Sequence, residues 1–192
     1  ILNRQIRRNV TKQMYKEYLN SAMIPDEVHS AIKKGKDQSA PGTDNVTYTL
    51  TKLISPNGVA AITQLFNDCL THRTTPEAWK DANVKLLYKL GKDKSGQTDT
   101  SNYRGISLLS CLGKTFERVI QSRLTEYHML FSPLDDAQNG FRAGRSTDMH
   151  LFVLDEALLH AGKNLPVCFI DIRKAFPSVR RSSLLAALAR HG

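Results

Sequence analysis

Three groups of residues in this chain have the type and spacing to do chemistry. The first centres on Asp171, within Val167-Cys168-Phe169-Ile170-Asp171-Ile172-Arg173-Lys174-Ala175-Phe176. Pro166 and the Gly162-Lys163-Asn164 turn precede this run of β-branched and aromatic residues, which reads as a short, mostly buried strand. Burying an unpaired carboxylate costs roughly several kcal/mol. Asp171 is therefore expected at the strand's open end, facing a metal or cation, or inside and paired with an arginine. A plainer reading makes it the cap of a helix that begins near Ser178. The second group is Lys89 with Arg104, at the base of an expected β-hairpin, where a lysine and an arginine suit the oxygens of a triphosphate or serve only solubility. The third is the loop around Gln138, Gly140, Phe141, Arg142 and Arg145. Two arginines flank an aromatic there, glycine lets the backbone approach a phosphate or base closely, and Phe141 is available to stack.

The elements that must position these groups follow from periodicity. Residues 1–20 carry Arg4, Arg7, Arg8, Lys12 and Lys16 with apolar positions at helical spacing, a basic helix or linker whose charges contact nucleic acid or only water. Pro25-Asp26-Glu27 opens a helix with acids at its positive end, Val28, Ala31 and Ile32 form its apolar stripe, and Gly35 ends it. Residues 36–45 form a turn-rich loop with a type II or similar Pro41-Gly42 turn. Helical patterns run over 47–54 and 59–71, the second with Ile62, Leu65, Phe66 and Leu70 inward. After a tight turn at Pro76–Trp79, residues 83–89 and 103–109 read as the two strands of a hairpin, with a polar, basic tip carrying Lys92, Asp93 and Lys94. A long amphipathic helix spans 111–130, with Leu112, Phe116, Val119, Ile120, Leu124 and Tyr127 inward and Lys114, Glu117, Arg118, Arg123 and Glu126 outward. A loop over 132–144 leads to a helix at 148–161 capped by Ser146 or Thr147. The Asp171 strand and a final helix to about Arg190 complete the pattern, with no linker-like boundary after residue 20.

The 192 residues carry 27 Lys and Arg against 18 Asp and Glu, a formal charge of +9, which favours a polyanionic partner: nucleic acid first, an anionic membrane surface second. No apolar run approaches the roughly 18 residues of a membrane span, and the first 18 residues lack the apolar stretch of a secretory signal. A chain opening on Ile1 is expected to be a piece of something longer. Cys69, Cys111 and Cys168 lie far apart in apolar surroundings, with no zinc spacing among them or with the histidines. They are expected to be reduced core thiols of an intracellular protein, without structural zinc.

Taken in order, several short motifs resemble the reverse transcriptase domain of non-LTR, LINE-type retrotransposons, and more distantly that of group II introns. They are Ala40-Pro41-Gly42-Thr43-Asp44, Pro76-Glu77-Ala78-Trp79-Lys80, Leu87-Tyr88-Lys89, Asn102-Tyr103-Arg104-Gly105-Ile106-Ser107-Leu108-Leu109 followed by Lys114 and Glu117-Arg118, Gln138 through Thr147, and Phe169-Ile170-Asp171 through Ala175-Phe176. The resemblance covers roughly residues 24–192. Each motif alone is weak; six in register are strong.

The resemblance implies an α+β, right-hand polymerase fold: mainly helical fingers over 21–165 with a β-hairpin, an upstream basic helix over 1–20, and the beginning of the palm over 166–192 with its first strand. It implies an RNA-directed DNA polymerase using Mg2+, or Mn2+ in its place, in two-metal phosphoryl transfer. Its partners would be an RNA template, a DNA primer, deoxynucleoside triphosphates and the rest of the same polypeptide, in nucleus and cytoplasm, with no membrane. Asp171 matches the first catalytic carboxylate and Ile172 a position whose backbone carbonyl also ligates metal. Phe176 matches the aromatic that excludes a 2′-OH. Lys89 and Arg104 match residues holding the triphosphate, and Gln138, Gly140, Phe141, Arg142 and Arg145 lie in a segment near the template. Two positions depart from the pattern: Gly105 stands where proline is common, loosening the strand start, and Pro177 where a second aspartate is common, suiting the first turn of the following helix. The family's later Asp-Asp pair and thumb do not appear in these residues. The 192 residues are thus expected to be inactive alone, with an exposed sheet edge that favours aggregation; a degenerate, non-catalytic RNA-binding remnant is the alternative.

Overall fold

The computed structural model describes residues 11, 13–89, 98–131, 134–161 and 165–191. The expected contributions of Arg4, Arg7, Arg8, Lys12, Lys92, Asp93 and Lys94, and the Gly162-Lys163-Asn164 turn, lie outside these residues. The order is α1 (13–20), α2 (Pro25–Lys33), α3 (Tyr48–Lys52), α4 (Pro56–His72), β1 (Asn83–Tyr88), β2 (Tyr103–Leu108), α5 (Cys111–Phe131), α6 (Thr147–Ala161), α7 (Ala175–Ser178) and α8 (Arg181–His191). The chain divides into two compact units, Ile1–Leu130 and Phe131–Gly192.

In the first unit α2, α4 and α5 bury their apolar stripes in one core of Val28, Ala31, Ile32, Val59, Phe66, Cys69, Phe116 and Val119, joined by Met23. α4 starts earlier than its periodicity predicts, because Ser55 accepts a hydrogen bond from Gly58 N (3.3 Å) and Pro56 occupies the first turn. Leu65, expected inward, is exposed. The Pro76–Trp79 turn delivers Trp79 between the helices, where its ring lies 5.8 Å from that of Phe66 and 5.9 Å from that of Phe116. Gly113 gives it room: a Cβ there would come within 3.3 Å of the indole.

Two glycines are used differently from their expected roles. Gly42 has no positive φ, so the Pro41-Gly42 pair is not a type II turn. The backbone instead passes so close to the start of α5 that a Cβ would lie 2.5 Å from Ser110 N. Gly35 ends α2 not through a left-handed cap but because Tyr48 occupies its Cβ position, 2.1 Å from Cδ1.

The largest correction within this unit concerns Arg123. Expected on the outer face of α5, it is only 3% exposed. Its spacing explains why: Phe116, Val119, Arg123 and Tyr127 recur at three and four residues, so Arg123 occupies the inward stripe. The guanidinium grips Glu27 of α2 with Nε to Oε1 at 2.8 Å and Nη2 to Oε2 at 2.7 Å. Its remaining donors reach the carbonyls of Tyr18 (3.3 Å), Leu19 (3.4 Å), Ser21 (2.7 Å) and Ala22 (3.1 Å). These carbonyls belong to the end of α1 and the segment after it, where helical partners run out; Tyr18 O also accepts from Ser21 N at 3.1 Å and Ser21 Oγ at 2.8 Å. Glu27 also accepts from Ile24 N (3.0 Å) and Tyr18 Oη (3.2 Å). Asn67 holds the same linker from α4, accepting from Met23 N at 2.7 Å and donating to Met23 O at 3.1 Å.

The second unit carries α6, α7 and α8. The strand expected over 167–176 does not form. Residues 165–172 have no regular structure, and Phe169, Ile170 and Ile172 are 84%, 86% and 67% exposed. A strand is completed by a neighbour's backbone groups, and among the described residues the only paired strands are β1 and β2. Cys168 is consequently exposed, while Cys69 and Cys111 are buried as expected. Pro177 sits in the short α7 rather than opening the final helix, which begins at Arg181. The fold is therefore mostly helical with an antiparallel hairpin, and among the described residues no strand forms around Asp171.

Two expectations follow from the Arg123 knot. Arg123→Ala leaves Glu27 and four carbonyls without their partner, and breaking a buried pair costs roughly 3–5 kcal/mol; urea unfolding followed by circular dichroism should show that loss. The Arg123 hydrogen bonds hold the Glu27 carboxyl below its ordinary value, against a smaller opposing effect of burial. A depressed folded value means the contribution is present above the unfolded value near 4.5 and fades as pH falls through the folded one. The thermal midpoint should thus drop on acidification below that value, and less steeply in Glu27→Gln.

Candidate nucleotide and nucleic-acid interface

The hairpin presents the first group. β1 and β2 pair antiparallel with Leu87 opposite Arg104 and Tyr88 opposite Tyr103, and Lys89 N donates to Asn102 O at 2.9 Å. Residues two apart on one strand share a face, so Lys89 and Arg104 project from the same side as diagonal neighbours, with roughly 7–8 Å between diagonal positions. Lys85, opposite Ile106, lies on that face too. The period-2 pattern of β1 is the sequence signal that places Lys85 on the face of Lys89. All three side chains are exposed, and together they form a cationic stripe able to engage several phosphate oxygens. The Lys89–Asn102 bond also sets the alternation of the ladder. Tyr88 and Tyr103 form a closer, non-hydrogen-bonded pair, with ring centroids 5.2 Å apart. Gly105, opposite Leu86, falls in the same kind of pair inside β2, so its N–H points away from β1. A proline there would remove no bond of this ladder.

The loop of the second unit is built by its own charges. Asp135 makes an Asx turn, its Oδ1 accepting from Ala137 N at 2.8 Å while its carbonyl accepts from Gln138 N at 2.9 Å. Arg142 Nη1 donates to the carbonyls of Asp135 (2.8 Å) and Gln138 (3.2 Å), and Gln138 Nε2 to Gly140 O (3.0 Å). Arg145 reaches Asp136 at 3.1 Å and Asn139 Oδ1 at 3.5 Å, and Arg142 approaches the same Asp136 oxygen at 3.9 Å. The arginines thus brace the loop from within. What the brace displays is Phe141, 95% exposed with φ of 61°. Its ring meets that of Phe176 edge-on, centroids 6.0 Å apart. A left-handed backbone at a bulky residue carries strain, and Lys174, just before α7, has φ of 51° as well.

Asp171 and Ile172 lie in the extended segment before α7, both exposed. The carboxylate makes no hydrogen bond or ion pair with a described residue, neither capping a helix nor pairing with an arginine. Among the described residues no three histidine, cysteine, aspartate or glutamate side chains gather where they could hold a metal. Asp171 with the Ile172 carbonyl offers hard oxygen donors of the kind Mg2+ takes, but one carboxylate is not a two-metal centre, and these residues alone do not fit one.

The described residues thus present a cationic hairpin face in one unit and, in the other, an exposed aromatic pair and an open carboxylate. The chain belongs to the reverse transcriptase (RNA-dependent DNA polymerase) family, whose model matches residues 92–192, more than half of its length. It is 30% identical to the probable RNA-directed DNA polymerase from transposon BS of Drosophila melanogaster, over 94% of this chain and 21% of that protein. It is 32% identical to the RNA-directed DNA polymerase from mobile element jockey of the same organism, over 86% of this chain and 18% of the relative. The type-1 element R1DM protein of that fly is 31% identical, over 86% of this chain and 16% of its own length. The resemblance to non-LTR retrotransposon polymerases is thus borne out, and the chain spans about a fifth of the length of these curated relatives. None of the described helices is long and apolar enough to cross a membrane.

Because the fold makes no use of the Asp171 carboxylate, Asp171→Asn should leave the thermal midpoint within about 1 °C of the parent, as surface changes of under about 0.5 kcal/mol do. Asp136→Ala should instead free Arg145 from its carboxylate partner, leaving Arg142 on the Asp135 and Gln138 carbonyls, and speed limited proteolysis within 134–146. Differential scanning fluorimetry and a trypsin time course check the two.

Proposed function

We propose that these residues are the fingers, over 21–165, and the beginning of the palm, over 166–192, of an RNA-directed DNA polymerase. That polymerase copies an RNA template into DNA during retrotransposition. The single observation that carries the reading is the cationic face of the hairpin. Lys89 and Arg104 come from two motifs separated by the hairpin tip, yet antiparallel pairing sets them side by side, as residues that grip one triphosphate must be. In this reading Phe141 and Phe176 stack on or exclude parts of the nucleotide and template. Gln138, Gly140, Arg142 and Arg145 shape the loop that offers Phe141. Asp171, with the Ile172 carbonyl, supplies one carboxylate of a Mg2+ or Mn2+ centre completed by other parts of the polypeptide.

The second unit supports that completion. Leu151, Phe152, Val153 and Leu159 of α6 are all exposed, as are Phe169 and Ile170, and a helix apolar on several faces belongs inside a larger body. The 192 residues on their own are accordingly inactive. The alternative, an RNA-binding remnant without catalysis, shares every surface feature and differs only in what completes Asp171.

The test is template-directed deoxynucleotide incorporation on primed RNA with Mg2+, comparing this chain with one extended through the remaining palm and thumb. Incorporation only by the extended protein, lost by about a thousandfold or more in Asp171→Asn, is the expected outcome. An extended protein that binds primed RNA and incorporates nothing establishes the remnant instead.

A further inference from the structure

Two arginines on α5 have opposite fates. Arg123 is saturated. Arg118, five residues earlier and half-buried, pairs with no carboxylate among the described residues; its guanidinium interacts with Tyr48, and its Nη1 is wholly buried. Its guanidinium carbon sits 4.7 Å from the centroid of the Tyr48 ring, and Lys114 Nζ sits 5.5 Å from the same centroid. Tyr48 is 1% exposed, and its buried hydroxyl interacts with Arg118 and Thr115. Arg118 also lines an open groove of about 470 Å3 between α2 and α5, together with Lys34, Gln121, Ser122, Thr125, Glu126 and Met129.

No carboxylate among the described residues pairs with Lys34, Lys114 or Arg118. The one acid in the groove, Glu126, already accepts from Tyr15 Oη at 3.1 Å. Buried donors are ordinarily satisfied, and charged ones are left unpaired only at considerable cost. Arg118 shares the Tyr48 ring with Lys114 and the groove with Lys34, and with the hydroxyl side chains of the groove wall these cations offer charge and donors to a tetrahedral oxyanion. The aromatic floor holds both α5 cations in place without neutralising them.

We propose that Arg118, Lys114 and Lys34, floored by Tyr48, bind a phosphodiester of the single-stranded nucleic acid that passes over the first unit. This seat is separate from the hairpin face, and the identity of its ligand as RNA rests on the polymerase reading. A phosphate group is the shared chemistry; a backbone phosphate and free inorganic phosphate are its two sources.

The experiment measures binding of a fluorescein-labelled single-stranded RNA to this chain by anisotropy at several salt concentrations, for the parent, Arg118→Gln, Lys114→Gln and Lys34→Gln. Losing one phosphate contact lowers the slope of log K against log salt by about 0.7 for a single strand. Each variant should show that drop together with an affinity loss of roughly three- to tenfold at low salt. At constant ionic strength, protection of the parent's thermal midpoint by inorganic phosphate, absent in Arg118→Gln, would mark free phosphate as an additional occupant. Should Arg118→Gln fail to fold, the two lysine variants carry the test. Parental slopes and affinities in folded variants overturn the seat while leaving the polymerase reading intact. A chain that binds no RNA overturns the seat. An extended protein that binds and copies none overturns the polymerase reading.

Discussion

The first unit depends on one buried guanidinium. Arg123 joins α5 to α2 through Glu27 and gathers the carbonyls of the segment between α1 and α2. No apolar residue could do this, because that segment changes direction and leaves four carbonyl groups facing inward. A planar fork with five donors meets them at once. Sacrificing two charges to the interior is offset only because almost every lone pair and proton is matched. The aromatic cluster of Phe66, Trp79 and Phe116 supplies apolar burial two turns earlier along the same face of α5, but burial alone would not fix how the N-terminal helices enter.

Much of the architecture was legible in the chain. The α2 start, the α5 stripe and both hairpin strands follow from capping residues and from periods of 3.6 and 2, which are local properties. Arg123 was misplaced because its type was read before its position; the spacing from Phe116 through Val119 to Tyr127 already put it inward. Gly35 and Gly42 were read as turn residues because glycine is permissive. Their actual constraint is a distant neighbour, Tyr48 or Ser110, which no local window contains. The stretch from Val167 to Ile172 failed for a related reason. Its composition states a preference for a sheet, but hydrogen bonds come from strands elsewhere, and no described strand is there to supply them.

The site residues divide along the same line. Lys89 and Arg104 could be placed together from the hairpin register, since antiparallel pairing is arithmetic once the strands are known. The roles of Arg142 and Arg145 could not. Their charge suggested contact with a polyanion, whereas Asp135 and Asp136, only a few residues away, turn both inward to build the loop. Phe141 is the residue that this brace exposes, held in a backbone region that bulky residues seldom occupy. The apolar side chains of α6 and of the Asp171 segment are exposed.

Trp79 is the chain's single tryptophan, and it lies against Phe66 and Phe116 in the first unit. Its emission on excitation near the red edge of the indole band therefore reports the environment of that aromatic cluster, and residues 131–192 contribute no tryptophan of their own. The second unit is optically silent in such an experiment. A cooperative fluorescence transition describes the helices around Trp79, and any looser behaviour of α6 to α8 passes unseen by that probe.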